Sequence, residues 1–372
     1  MIYLDNASTT RMRPEVRAAM EPFFDLDYGN ASSLHAAGRR ARRALEDARE
    51  TVAACLGADP KEIVFTSGAT ESNALAIAGA AEALRGRGDH LVTSAIEHPS
   101  VLETFARLER QGWRVTRLPV DGRGLVDPAQ AAAAVTPRTV LISVMTVNNE
   151  VGSLQPIAAI RKAAPGVVFH SDAAQAVGKV PVVVRDADLL TFSAHKIHGP
   201  KGVGALWVRK GTPLAPQLVG GGQEFERRAG TENVAGAVGL AAAMKLADAG
   251  RTDALRERLR AGLERLGGVR VAGPSDRRAP HILNVAFEGV DGEAVILALD
   301  AAGVCVSSGS ACASMSTQPS HVLKAMGIPA EVSKTSVRFS LSTLTTDEEI
   351  DGALSIVPGV VDRLRKISPV VR

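Results

Sequence analysis

A chain of 372 residues with 45% hydrophobic content can bury a large core, and that length favours two domains over one. Lys and Arg total 43 against 40 Asp and Glu, a net +3. That balance gives no chain-wide basic face for nucleic acid, and 3% aromatics leaves few platforms for stacked bases. The first residues, Met1-Ile2-Tyr3-Leu4-Asp5-Asn6, carry no basic or apolar leader pattern, and no apolar run reaches bilayer length. Neither a membrane nor a nucleic acid is therefore expected as a direct partner. Three cysteines, at 55, 305 and 312, make no disulfide framework and no metal-ligand spacing, which points to a reducing cytoplasm and to no metal.

In chain order, residues 41–56 place Ala41, Leu45, Ala48, Val52 and Leu56 on one helical stripe. Cys55 borders the stripe and reads as a small core hydrophobe, whereas Arg39 to Arg43 with Glu46, Asp47 and Glu50 read as a solvated face. Strand-like runs follow at 62–66, 90–95, 139–145, 167–171, 187–192 and 203–208. Helical stretches separate most of them, so the expectation is an α/β fold with a mostly parallel sheet covered on both faces. After residue 250 the composition shifts. A charged amphipathic helix is predicted at 251–266, closed by Gly267-Gly268, with strands at 282–287 and 337–341. The last helix carries the capping signature Thr345-x-x-Glu348, and residues 251–372 read as a smaller α+β domain.

The run Phe192-Ser193-Ala194-His195-Lys196-Ile197-His198-Gly199-Pro200 follows a buried strand and then breaks regular structure. A lysine there suits a desolvated amine poised for a Schiff base, and pyridoxal phosphate (PLP) is the obvious aldehyde. Thr66-Ser67-Gly68-Ala69-Thr70-Glu71 leads from a strand into an apolar helix. Its free amide groups and the Thr70 hydroxyl suit a single phosphate, although the segment equally reads as an ordinary helix cap. Asp172 ends another strand, with Gln175 three residues on. Alone it reads as a helix N-cap; with Lys196 it reads as the partner of a pyridine nitrogen, Gln175 reaching the phenolic oxygen.

His98 precedes Pro99 at a strand-to-helix junction, where an imidazole can stack on an aromatic ring, shuttle a proton or simply cap the helix. Cys312 lies in the small-residue run Val306-Ser307-Ser308-Gly309-Ser310-Ala311-Cys312-Ala313-Ser314, a setting that fits an accessible nucleophile on a loop. Cys305, by contrast, belongs to the alternating Val304-Cys305-Val306 and reads as structural. Arg338, in Ser336-Val337-Arg338-Phe339-Ser340, suits bidentate capture of a substrate carboxylate or a surface ion pair. Asn30 and Asn148 are polar loop residues able to add contacts to substrate or ring.

These motifs, in this order, resemble the cysteine desulfurases of the NifS and IscS type, PLP enzymes of fold type I (aspartate-aminotransferase-like) in the class V aminotransferase family. The likeness runs through Tyr3-Leu4-Asp5, Ser67-Gly68-Ala69-Thr70-Glu71, Val147-Asn148-Asn149-Glu150, Ser193-x-His195-Lys196, Gly220-Gly221-Gly222-Gln223-Glu224, Arg228-Ala229-Gly230-Thr231-Glu232-Asn233, Ser308-Gly309-Ser310-Ala311-Cys312 and Val337-Arg338-Phe339-Ser340. It implies a large PLP-binding domain over residues 12–250, and a small domain over 1–11 and 251–372 that carries the catalytic cysteine loop. By that resemblance Lys196 is the Schiff-base lysine, His98 the ring-stacking acid/base, Asp172 the pyridinium partner and Gln175 the partner of the phenolic oxygen. Phosphate contacts fall to Ala69, Thr70, Ser193 and His195, with Thr231 supplied by the other subunit of an obligate homodimer. Arg338 and Asn148 would hold L-cysteine, and Cys312 would take its sulfur as a persulfide, leaving L-alanine.

A sulfur-acceptor protein, either an iron–sulfur scaffold or a thiolation enzyme, is the implied partner. Thr146 and Thr343 depart from residues common in the family, and the absence of a longer tail after Ser368-Pro369 puts delivery to a standard scaffold in question. Two other expectations stand beside this one. One is a selenocysteine lyase or other fold-type-I enzyme without a sulfur relay; the other is a docking subunit with negligible turnover.

Overall fold

The computed structural model describes residues 1–248, 250–308 and 319–367. The strands, in chain order, are β1 (Ile2–Tyr3), β2 (Ile63–Thr66), β3 (His90–Ser94), β4 (Arg114–Leu118), β5 (Thr139–Ser143), β6 (Val168–Asp172), β7 (Leu189–Ser193), β8 (Gly204–Val208), β9 (Val269–Ala272), β10 (Ile282–Phe287), β11 (Val304–Cys305) and β12 (Ser336–Ser340). A seven-stranded sheet has the order β2-β8-β7-β6-β5-β3-β4. β8 runs antiparallel to both its neighbours, and the remaining pairs are parallel. The protein is thus α/β with a mostly parallel central sheet, as the alternation of apolar runs predicted.

Strands β2, β3, β5, β7 and β8 are buried along their whole length, which is why they read as continuous apolar runs. β4 is the exception. It lies at the sheet edge with Arg114 and Arg117 exposed, and its Arg-Val-Thr-Arg-Leu sequence gave no apolar run to find. Among the helices, α1 (Pro14–Met20) and α2 (Ala36–Leu56) pack with the helix Val234–Lys245, while α3 (Ala69–Ala83) and α4 (Pro99–Arg110) pack together on the other apolar cluster of the sheet.

Two local expectations need correction. Cys55 is exposed near the end of α2, because the buried stripe Ala41, Leu45, Ala48 and Val52 turns its other side inward. The cap of the last helix sits one residue later than the sequence signature. Asp347 opens that helix, the Glu349 amide donates to Thr346 Oγ1, and the Thr346 amide donates back to Glu349 Oε2.

A second apolar cluster collects Leu4, Leu255, Leu259, Leu283, Val285, Phe287, Phe339, Ile350 and Val357 around the antiparallel sheet β12-β10-β9. The N-terminal segment joins this cluster to the central sheet. β1 pairs with β11, the Asn6 amide donates to Ser340 O, and the Thr10 amide donates to His195 O. Burying Leu4 contributes about 1.5–3 kcal/mol and anchors the following residues, which bond to Ser340 of β12 on one side and to Lys196 on the other.

Candidate active site

The carboxyl ends of parallel strands β3, β6 and β7, with the end of β2 beside them, bring together the side chains that matter, where open α/β sheets bind their ligands. β7 ends at Ser193 and runs into a short 3₁₀ turn, Ala194–Lys196. Lys196 is half-buried, and its Nζ donates to the carbonyls of Ala7 and Ser8, each at 2.7 Å. Two carbonyls belonging to the N-terminal segment therefore aim the amine.

β6 ends at Asp172, which is almost fully buried. Its Oδ2 accepts from Asn73 Nδ2 at 2.7 Å and its Oδ1 from the Ala174 amide at 2.9 Å. Gln175 Nε2 donates to Ala7 O at 2.8 Å, the same carbonyl that holds Lys196. Gln175 Oε1 accepts from Lys179 Nζ at 3.0 Å and lies 3.1 Å from His281 Nε2. Burial holds the Lys179 amine well below its usual pKa, with Lys196 and Arg338 adding to the effect, and likewise keeps His281 neutral.

Beyond β3, His98 caps α4: its Nδ1 lies 2.8 Å from Ser100 Oγ and accepts the Ser100 amide at 3.1 Å. Burial lowers the His98 pKa; Asp172 opposes this, while Lys196 and His321 reinforce it. The preceding Glu97 is fully buried, accepting from Ser94 Oγ at 2.5 Å and from the Met145 amide at 2.9 Å. Desolvation pushes its carboxyl up to about 8, so it is largely protonated at neutral pH.

The N-terminus of α3 forms an anion cradle. Gly68, its N-cap, has φ +152 and supplies no side-chain cap, so the first amides of the helix have no capping oxygen. A Cβ on Gly204 would lie 2.8 Å from Gly68 Cα, so glycine is what lets these two backbone segments approach. Ala69 and the exposed Thr70 open the helix, Ser193 flanks Gly68, and His195 Nδ1 lies 3.2 Å from Thr9 Oγ1. Burial, with Lys196 next, lowers His195 to about 4, leaving a neutral ring. Glu71 accepts from the Ser67 amide and pairs with Arg228, Nε to Oε1 at 2.7 Å, tying the segment that carries the exposed Thr231 to this helix end.

Other sequence-predicted residues are placed differently. Arg338 is almost fully buried in β12: its Nη2 donates to Asp5 Oδ1 at 2.9 Å and Ser8 Oγ at 2.7 Å, and its Nη1 to Asn149 O at 2.8 Å. It clamps the N-terminal segment between the two sheets. Asn148 is fully buried and commits its amide to its own turn, receiving the Glu150 and Val151 amides and donating to Ile96 O. Asn30 is exposed and accepts from the Ser32 amide, without a bond to the cluster above among the described residues. Cys312 lies outside the described residues.

Sequence reasoning missed Asn73, Glu97, Ser100, Lys179 and His281. For Asn73, Glu97, Ser100 and Lys179 the one signal was proximity in sequence to the named residues, and His281 had none, since their burial comes from tertiary contacts.

PLP fits this set of donors. A helix end with uncapped amides would take its phosphate, Asp172 its ring nitrogen and Gln175 its phenolic oxygen, with an amine at Lys196 to meet its aldehyde. The family described as "Aminotransferase class-V" matches residues 2–352, and the chain belongs to that family. Class V aminotransferases are PLP enzymes. Relatives include a cysteine desulfurase from Cereibacter sphaeroides, 49% identical, and a cysteine desulfurase IscS from Dictyoglomus turgidum, 46% identical. Those alignments cover 99% of this chain, with 97% and 96% of the two relatives respectively. Among solved structures, a NifS-like protein matches with a TM-score of 0.91 at 38% identity, over 98% of this chain and 100% of that one. A structure described as SspA in complex with cysteine matches with a TM-score of 0.85 at 36% identity, over 93% of this chain and 100% of that one.

Proposed function

We propose that this protein is a PLP-dependent cysteine desulfurase that converts L-cysteine to L-alanine and carries the sulfur as a persulfide on Cys312. The observation that carries the reading is the convergence on Ala7 and Ser8 of the Lys196 amine and the Gln175 amide, beside Asp172 at the end of β6. Relatives named cysteine desulfurase over nearly the whole chain narrow the reaction within the family.

When bound, PLP supplies an electron sink for the α-carbon of an amino acid. Asp172 keeps the ring nitrogen protonated, and Gln175 orients the phenolic edge. His98 would lie against the ring, and Ala69, Thr70, Ser193 and His195 would hold the phosphate, joined by Thr231 from a second copy of the chain. Lys196 Nζ removes the proton from the α-carbon and redelivers it. Arg338 and Asn148 shape the wall that receives the substrate carboxylate, with Asn30 at its rim. The Cys312 thiolate then attacks the substrate sulfur. An S–S bond forms as the Cβ–Sγ bond breaks, and the carbon is protonated to the methyl of alanine.

The working unit is a homodimer, in keeping with the exposed Leu34, Leu218 and Val219, whose apolar surface a second copy would cover. A thiol-bearing acceptor protein receives the sulfur, and a reducing compartment such as the cytoplasm keeps Cys312 competent. We assign a large unit to residues 12–250 and a small one to residues 1–11 and 251–372. Among the described residues no helix is long and apolar enough to cross a membrane.

The test compares wild type with Cys312→Ala, each loaded with PLP, on L-cysteine and L-selenocysteine. The desulfurase loses alanine formation from L-cysteine in the variant. A variant that retains it would assign the chemistry to a lyase or aminotransferase without a sulfur relay.

A further inference from the structure

Two hydrogen-bond donors meet His98 Nδ1, and one of them leaves no choice of direction. The Ser100 backbone amide can only donate, and it lies 3.1 Å from Nδ1, so Nδ1 presents a lone pair. Ser100 Oγ lies 2.8 Å from the same nitrogen. That oxygen also accepts from Asn73 Nδ2 at 2.9 Å, so its own hydrogen is directed at Nδ1. The orientation of Asn73 is settled in turn by Asp172: only the NH₂ group can face a carboxylate, and Nδ2 reaches Asp172 Oδ2 at 2.7 Å. Asn73 is fully buried, and its bond to Asp172 is shielded from solvent. Asp172, Asn73, Ser100 and His98 form one ordered chain of donors and acceptors.

We infer that Asn73 and Ser100 are positioning residues that hold His98 as the neutral tautomer with its hydrogen on Nε2. His98 then serves the substrate as a hydrogen-bond donor, and Lys196 alone of the pair accepts the α-proton. Burial of the imidazole, which disfavours its charged form, acts in the same direction. The inference rests on the PLP reading of the site, but its primary readout needs no turnover.

The experiment is long-range ¹H–¹⁵N correlation of the PLP-loaded enzyme labelled with ¹⁵N-histidine, with the His98 signals assigned by their loss in His98→Gln. At pH 8 the expected pattern is an unprotonated, pyridine-type Nδ1 and a protonated, pyrrole-type Nε2. A protonated Nδ1, whether in the other tautomer or in an imidazolium, overturns the inference. Asn73→Leu keeps the size of the side chain and removes its donors; Ser100→Ala removes the hydroxyl. Each should move the Nδ1 and Nε2 signals toward an average of the two tautomers and lower kcat for alanine formation about tenfold, a fraction of what a general acid–base group contributes. KM for L-cysteine should stay within about twofold, since neither residue is expected to touch substrate. Ser100→Thr, which keeps the hydroxyl, should restore both. Variants that lose activity with an unchanged tautomer pattern also overturn the inference, because the two residues would then act through packing alone. Because the pattern is read without substrate, a protein that shows it but makes no alanine counts against the desulfurase reading and leaves the tautomer assignment standing.

Discussion

Replacing Glu224 with alanine should remove a buried ion pair that ties the loop after Gly222 to the large sheet. Glu224 is buried and receives Arg49 in a two-point contact, Nη1 to Oε2 at 2.7 Å and Nη2 to Oε1 at 2.9 Å. It also accepts the Phe65 amide of β2 at 2.8 Å. Arg49 in turn donates to Ile63 O and lies over the rings of Phe65 and Phe225 at 4.8 and 5.0 Å. Truncation leaves the buried guanidinium with only the partly exposed Glu46, 3.2 Å from its Nε, as counter-charge, a change at the lower end of the about 3–5 kcal/mol that breaking a buried pair costs. The orphaned Phe65 amide is part of that cost and is not added to it.

Glu224 also sits at φ +47, a left-handed conformation that glycine adopts freely. Glu224→Gly should therefore be milder than Glu224→Ala by about 1 kcal/mol. At about 2–4 °C per kcal/mol, the alanine variant should melt roughly 10 °C below wild type. The assay is scanning calorimetry at one scan rate on PLP-loaded and PLP-stripped protein, with Tm compared between variants. The loaded form should lose more, because the loop leads to Arg228, which pairs with Glu71 at the α3 cradle. An alanine variant within about 2 °C of wild type would refute the claim that this pair anchors the loop.

Other outcomes follow from the same geometry. Glu97 has a folded-state pKa of about 8 against an ordinary value of 4.5, so between those pH values the folded protein holds a proton that the unfolded chain has lost. Its contribution to stability is full below pH 4.5 and is lost as pH rises toward 8, at about 1.4 kcal/mol per unit. Glu97→Gln should flatten the fall in Tm between pH 6 and 8, and a variant that falls as steeply as wild type would contradict the buried neutral carboxyl. Lys196→Ala should replace the lysine-linked absorbance of bound PLP by that of the unlinked aldehyde and lower alanine formation by about 10²–10⁴-fold, checked by spectrum and product assay. Arg338→Lys cannot reproduce the fork that meets Asp5, Ser8 and Asn149 together, so KM for L-cysteine should rise about tenfold or more, measured by steady-state kinetics.

The strands that carry the site were readable because parallel strands buried on both faces are apolar along their length, as in Leu189–Ser193 and Thr139–Ser143. Lys196, Asp172 and His98 stood out because each follows such a run. Burial of a polar side chain leaves no local trace, and that hid Asn73, Glu97 and Lys179. Their donors and acceptors come from other elements: Asn73 on α3 meets Ser100 on α4 and Asp172 on β6. The ion pair of Arg49 and Glu224 joins residues 175 positions apart, and in the sequence Arg49 looks like one more charge on a solvated helix face. Cys55 failed for a related reason: helical phase near the end of α2 decided its exposure, and its neighbours in sequence did not. The edge strand Arg114–Leu118 was invisible because two exposed arginines break its apolar pattern.

The central claim is that sulfur leaves L-cysteine for Cys312 at this site. The most direct measurement incubates the PLP-loaded protein with L-cysteine, quantifies alanine, and weighs the peptide carrying Cys312 without reductant. The account predicts alanine together with a gain of one sulfur atom on that peptide, and neither in Lys196→Ala. Bound PLP with no alanine and an unmodified Cys312 would contradict it.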